Sequence, residues 1–446
     1  MWMQRGLAAL SWVFCSLAVL SCRQPPPSAP ASSKPAAPAT SAASAEPGPT
    51  PVAPAPTEQP QPPVTTAPTS EPLPFPEATS AFGIDLYRKL ASAQEGNVAL
   101  APVSISTALA MTWAGARGET KEEMTRAMHL LGTESEVATA ARSLTTSLNA
   151  LNDGTTTLRV ASGLFGERTC KLEPGFLELT THRFGASVQP MDFLNAAEAA
   201  RKAINARLAE QTNRRISELL PAKSLDETTK LVLTNTVYFL GKWRSPFEHG
   251  RTQPRDFYVN GRDAQKVPMM SQRAEFGHTR ADGVQVLEMS YKGKGNDVGM
   301  LFVLPDERNG LEELEQALTT ERLENWVKTL QPTEVAVQLP RFQLRSATPL
   351  RHPLKLLGME LAFEPGKADF TGMSACGQLV LEDVYHQAIV KVDEQGTEAS
   401  AATAPHMQAV SRPRNQFIAD HPFLFVIRHR PSGTLLFLGR VVSPAA

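Results

Sequence analysis

Apolar and polar residues change rhythm several times along this chain, and the rhythm predicts most of its elements. From Ala81 to Ala91, Phe82, Leu86 and Leu90 recur at helical spacing. Pro102 and Ser104 open a second helix whose apolar positions continue to Trp113; Gly115 and Gly118 stop it, and Thr120 can cap the next. Ser135 to Leu151 is amphipathic, and Asn195 to Gln211 makes a further helix carrying Ala196, Ala203, Ile204 and Leu208. Leu158 to Phe165 predicts a strand, while LVLTNTVYF, Leu231 to Phe239, alternates so little that it predicts a strand buried on both faces. A hairpin over Phe257 to Met270, a central strand over Val298 to Pro305, two short helices over Leu311 to Leu330 and a strand over Val335 to Leu344 follow. These elements do not alternate as βα units, so the expected class is α+β.

The stretch from Asp393 to Ser411, DEQGTEASAATAPHMQAVS, breaks the pattern. A run rich in Val, Ile and Leu precedes it, from Leu379 to Val392, and a strongly apolar segment follows, from Phe417 to Ile427. Between Thr397 and Ala404 no large apolar group could anchor the chain to a core. Side chains this small, alternating at period two, can slide between strands with little steric resistance. Thr397, Ala399, Ala401 and Thr403 would face one side; Glu398, Ser400 and Ala402 would face the other. Gly396 supplies a pivot just before them. Composition alone reads the same residues as a solvated loop without a role.

The remaining features narrow the class of protein. Residues 1–22 read as an export signal, with Arg5 as its charged start and Leu7 to Leu20 as its apolar core, too short for a good membrane-spanning helix. Val19-Leu20-Ser21-Cys22 is similar to a bacterial lipobox and makes Cys22 the expected lipid-bearing residue, against an ordinary cleaved signal peptide. Residues 23–76 hold half of the 36 prolines among Ala, Ser and Thr and cannot bury enough surface to fold. Extended as polyproline, this tether reaches roughly 170 Å. The folded domain is expected from about Glu77 onward, through 446. With 44 basic and 45 acidic residues the chain lacks the charge of a general nucleic-acid binder. No G-x-S-x-G elbow, H-E-x-x-H pair, P-loop or dinucleotide glycine motif is present. Outside the signal there are two cysteines, Cys170 and Cys376, without metal-like spacing; the sequence leaves open whether they pair or stay free.

Several motifs together resemble the serpin family. EQGTEASAATA, Glu394 to Ala404, resembles the reactive-loop hinge of inhibitory serpins, and FIADHPFLFVI, Phe417 to Ile427, resembles the signature that follows that loop at the same separation. NVALAPVSISTALAMTWAGARGETKEEM (from Asn97), LVLTNTVYFLGKWRSPF (from Leu231), FYVNGRDAQKVPMM (from Phe257), and FTGMS at Phe370 to Ser374 extend the match across nearly everything from Glu77 on. The resemblance implies a fold of three β-sheets and about nine helices with an exposed reactive loop. It implies a polar cluster of Ser104, Asn235 and His386 beneath the point where the main sheet opens, with Trp243 near the entry of the loop. On residue type alone, Asn235 would suit an edge or a capped turn, Trp243 a plain core position, and His386 a satisfied core histidine. Ala101 departs from the family's usual Ser, so one hydroxyl of that cluster is expected to be missing.

What the resemblance implies about function is specific. A serine protease, or a cysteine protease, takes the loop as substrate and its nucleophile forms an acyl-enzyme. The cleaved hinge, Glu394, Gln395, Gly396, Thr397, Glu398, Ala399, Ser400, Ala401, Ala402 and Thr403, then inserts into the main sheet and traps the enzyme. The protein is consumed in the process and is not an enzyme. Counting along the hinge puts the scissile bond at Val410-Ser411, which suits an elastase-like pocket; Arg412 (followed by Pro413), Ala409 and Met407 are the other choices. Pro405 is disfavoured within a central strand. The Ser135–Leu151 helix carries one Arg beside Glu residues, so no heparin site is expected. The expected protein is a monomer without cofactor or metal, exported to a bacterial outer membrane or surface as a lipoprotein, or secreted, touching membrane only through its lipid. The alternatives are a non-inhibitory serpin-fold binding protein and an adhesive or structural surface lipoprotein.

Overall fold

The computed structural model describes residues 73–444, apart from 187, 260, 294, 296, 377–378 and 398–414. Among the described residues there are nine α-helices: α1 (Phe75–Ala93), α2 (Pro102–Gly115), α3 (Gly118–Ala127), α4 (Glu134–Asn149), α5 (Pro174–Glu178), α6 (Phe193–Gln211), α7 (Leu311–Gln316), α8 (Thr320–Thr329) and α9 (Arg351–Leu356). The strands are β1 (Val98–Leu100), β2 (Thr156–Glu167), β3 (Val188–Met191), β4 (Leu231–Lys242), β5 (Gln253–Val259), β6 (Asp263–Ala281), β7 (Val284–Ser290), β8 (Val298–Pro305), β9 (Gln331–Pro340), β10 (Phe342–Pro349), β11 (Leu381–Asp393), β12 (Gly396–Thr397), β13 (Asn415–Ile418), β14 (Phe423–His429) and β15 (Leu435–Val441). Cys22, residues 23–72 of the tether, Glu398 to Thr403, and Val410 and Ser411 lie outside the described residues. Residues 73–76, expected in the tether, belong to the fold instead: Leu73 bridges Leu130, and α1 begins at Phe75, whose ring is buried.

The class is α+β, as the pattern predicts. Strands β10-β11-β12-β4-β2-β3 form one sheet, and nine strands form a second, continuous hydrogen-bonded system. Hydrogen bonding thus joins the strands into two sheets where three were expected, because the 19-residue β6 runs through the larger one: Asp263 to Met269 pair with β5, Met269 to His278 with β9, and Gly277 to Ala281 with β7.

Local chemistry accounts for most boundaries. Pro102 sits at the first turn of α2, where its missing N–H costs nothing. Thr133 and Glu136 close a capping box at the start of α4. Thr120 does not cap α3: that helix begins at Gly118, and the Thr120 hydroxyl accepts the Asp369 N–H instead. The segment expected as one strand from Val335 to Leu344 is two, because the chain changes sheets at Arg341 between β9 and β10. The apolar signature after the loop likewise divides into β13 and β14 around Asp420 to Pro422.

The six-stranded sheet is covered on both faces, which explains the missing alternation in β4. Leu233, Val237 and Phe239 face the main core, which also takes in α2 and the nine-stranded system. Val232, Phe165 of β2 and Ile389 of β11 face the other way and pack under Phe193, Ala200, Ile204 and Leu208 of α6.

Candidate functional site

The site lies in the six-stranded sheet, where β4 and β11 run parallel. Leu381 to Ile389 pair with Leu231 to Tyr238, with His386 opposite Asn235 and a register shift between Leu381 and Val384. Above this closed seam, two residues of the hinge already lie between the strands. Gly396 and Thr397 pair antiparallel with Asp393 and Val392 on one side and with Lys242 and Gly241 on the other.

Each end of this wedge is fixed by specific contacts. Gly396 has φ +151°, and a Cβ there would fall 1.9 Å from the Gly241 carbonyl oxygen, so only glycine fits. Thr397 is wholly buried and its hydroxyl shares a 2.7 Å hydrogen bond with the Tyr291 hydroxyl, whose own ionisation burial pushes up. Tyr291 stacks on Trp243, with ring centroids 4.4 Å apart. The Trp243 indole N–H donates to the Asp393 carbonyl at 3.0 Å, and its backbone N–H donates to the Gln395 carbonyl at 2.7 Å. Trp243 therefore holds both strands of the tight turn that leads into the hinge.

Glu394 is buried just before that turn. Burial alone would raise its pKa, but the Arg341 guanidinium and the Thr252 hydroxyl, both bonded to the carboxylate, hold it below the usual carboxylate range. The His249 ring lies 3.5 Å from the other carboxylate oxygen. Sequence reasoning found Glu394 but missed Arg341 and Thr252, which no local pattern connects to it.

Lower in the seam, Ser104, Asn235 and His386 come together. The Asn235 side-chain oxygen accepts from the Ser104 hydroxyl at 2.6 Å and from His386 Nδ1 at 2.8 Å. His386 Nε2 accepts the Ala101 backbone N–H at 3.2 Å, and the Ser104 hydroxyl also lies 3.0 Å from the Ala101 carbonyl. Both ring nitrogens are thus used by a neutral imidazole, and burial pushes its pKa down to about 3. Ala101 lacks the expected hydroxyl yet joins the cluster through its backbone. The His386–Asn235 bond crosses the seam itself, from β11 to β4. Trp243 is not part of this cluster; it belongs to the hinge entry.

Cys170 and Cys376 form a disulfide with a Cα–Cα separation of 5.2 Å. It lies just beyond the lower end of the same seam. Beside it, the Glu173 N–H donates to the Met373 carbonyl and the Ser374 hydroxyl donates to the Lys171 carbonyl.

A slot with one entered residue pair above a buried Ser104–Asn235–His386 cluster agrees with the family that the motifs resemble. The family model for Serpin (serine protease inhibitor) matches residues 77–444, and the chain belongs to that family. The leukocyte elastase inhibitor of Bos taurus is 42% identical over 377 residues, covering 82% of this chain and 98% of that protein. Serpin B9 of Homo sapiens is 40% identical over the same length and coverage. Among solved structures, a highly specific serpin of the insect Tenebrio molitor superposes with a TM-score of 0.74 at 29% identity, over 83% of this chain and 98% of that one. Uncleaved ovalbumin gives 0.75 at 28% identity, over 83% and 100%.

Proposed function

We propose that this protein is a suicide inhibitor of serine proteases that traps an acyl-enzyme by drawing its cleaved loop into the seam between β4 and β11. The observation that carries this reading is the register of Gly396 and Thr397. Continued one residue at a time, that register sets Thr403 between Asn235 and His386, and Met407 level with Leu231 at the last closed rung. Residues on the Thr397 side (Ala399, Ala401, Thr403) would face the main core. Glu398, Ser400 and Ala402 would face the α6 side. Thr403 would bring a hydroxyl to the Asn235–His386 pair just as that pair is separated.

Opening the seam breaks the His386–Asn235 bond and the β4–β11 ladder. Each inserted residue replaces one ladder by two, at a strand spacing of about 4.8 Å. The Trp243 N–H bond to Gln395 sets the parity, so odd-numbered loop residues turn their backbone groups to β4. Pro405 would then forfeit one bond, to Leu233, at a cost of about 1–3 kcal/mol for the orphaned carbonyl. That is a small part of a strand's worth of ladder, so insertion survives it while its completion is slowed.

The scissile bond is assigned to Val410-Ser411. Val410 fits a small apolar primary pocket, and the likeness to leukocyte elastase inhibitors supports an elastase-like target. Covalent trapping follows from acylation by the protease nucleophile at the Val410 carbonyl. A cysteine protease would be trapped through a thioester in the same way. The first 22 residues support export, with Cys22 as the lipid attachment and the Pro-rich tether holding a monomeric inhibitor off the membrane. Incubation with an elastase tests the assignment: a complex stable in detergent gels, with a released fragment beginning at Ser411, is expected. Cleavage without complex, or a different new N-terminus, rejects the mechanism or the site respectively.

A further inference from the structure

We propose that the Cys170–Cys376 disulfide is a redox-controlled clamp across the lower end of the insertion slot, an inference that rests on the inhibitory reading above. The slot separates two blocks of the six-stranded sheet, β10-β11 on one side and β4-β2-β3 on the other. Cys170 lies three residues beyond Glu167, the last residue of β2, on the second block. Cys376 lies five residues before Leu381, the first residue of β11, on the other block. Both are at the end where Leu231 and Leu381 pair, opposite the hinge. The bond therefore ties the two blocks together at the end where the incoming strand arrives last.

Full insertion must part the blocks by about one strand spacing, roughly 4.8 Å. A disulfide accepts Cα–Cα separations only up to about 6.8 Å, little beyond the 5.2 Å found here. The same two loops are further tied to each other beside the disulfide, where Leu172 bridges Ser374, the Glu173 N–H donates to the Met373 carbonyl and the Ser374 hydroxyl donates to the Lys171 carbonyl, and the Glu167 N–H anchors the first loop to the Lys230 carbonyl next to β4. With the bond intact, the seam opens as a wedge from the hinge end. Insertion then halts near Pro405, which comes level with Val384, where the β4–β11 register shift begins and where proline gives up a ladder bond. Cleaving the disulfide frees the last rungs.

The chemistry is thiol–disulfide exchange. A thiolate of a small dithiol attacks one sulfur, Cys376 being exposed while Cys170 is buried, and the other sulfur leaves as a thiolate. The second thiol of the reagent closes the mixed disulfide. The protein gains two electrons and two protons, and the dithiol is oxidised to its cyclic disulfide.

The test compares three forms of the full chain: oxidised wild type; wild type reduced with dithiothreitol, alkylated and freed of reagent; and the Cys170→Ser/Cys376→Ser double variant. Each is treated with an elastase and scored for the ratio of detergent-stable complex to cleaved inhibitor. Each is also nicked in its loop and scored for the gain in Tm over its own intact form. The clamp predicts a severalfold higher ratio and a larger Tm gain for the reduced and double-serine forms. An equal or smaller ratio and an equal gain overturn the clamp while leaving the inhibitory reading standing. No complex and no Tm gain in any form overturn both. Because each form is its own reference and the reduced arm starts from folded wild type, poor folding of the variant cannot mimic the result.

Discussion

Replacing His386 by alanine removes a side chain that bridges the seam between β11 and β4, and its effect can be worked from the contacts. The imidazole donates to Asn235 across the slot and accepts the Ala101 N–H from below. Loss of the first bond takes away roughly 1 kcal/mol that exists only while the seam is closed. Loss of the second orphans a buried N–H at about 1–3 kcal/mol, in the closed state also. The seam-closed form is therefore weakened by a total of about 2–4 kcal/mol, and some 1–2 kcal/mol of this lowers the barrier to opening. That corresponds to roughly a 5–30-fold faster opening. An open seam accepts any strand of the right shape, including the loop of another molecule. The variant is thus expected to lose monomer and form polymer faster on heating, followed on native gels at a temperature that leaves wild type monomeric. Monomer yield on heating equal to wild type would refute the argument, because it would mean the His386–Asn235 bond does not hold the seam.

Three further outcomes follow from other parts of the site. Thr397→Arg would put an unpaired guanidinium into a fully buried position beside Tyr291, so hinge entry stops; elastase should still cut the loop, and detergent-stable complex should vanish from gels. Acid should weaken the closed form through His386. Its folded pKa, about 3, lies below the ordinary value near 6.5, so its contribution is complete above about pH 6.5 and is lost as pH falls toward 3. The loss reaches roughly 3 kcal/mol by pH 4.5, read as a fall in Tm that is shallower in the His386→Ala variant. Arg341→Ala removes the half-exposed guanidinium that bonds the buried Glu394 carboxylate, and should cost about 1.5–3 kcal/mol in denaturant unfolding; Arg341→Lys should recover part of it.

The sequence made the helices and strands legible wherever a single local rule decides them. Pro102 opens α2, and the unbroken apolar run of β4 reflects its burial under α6 on one face and over α2 on the other. Composition alone reads the segment after Gly396 as a solvated loop; the expectation that Gly396 and Thr397 enter the sheet comes from the resemblance of Glu394 to Ala404 to a family motif, and those two residues do pair between β11 and β4. Long-range partnerships were not legible. Arg341 reaches Glu394 only because the chain changes sheets between β9 and β10, a turn that hydropathy reads as one continuous strand. Thr120 looked like a cap, since nothing local says that Asp369 will compete for its hydroxyl. Cys170 and Cys376 are 206 residues apart, and only the pairing of β2, β4 and β11 brings their loops together. Ala101 shows the opposite case: the side-chain change visible in the sequence matters less than the backbone N–H that sequence does not display.

The central claim is that the cleaved loop becomes a strand of the six-stranded sheet, and thermal unfolding of intact and loop-nicked protein tests it most directly. Ladder bonds on both sides of an inserted strand should raise Tm on nicking by on the order of 10–20 °C. A nicked protein that melts at or below the temperature of the intact one would contradict it.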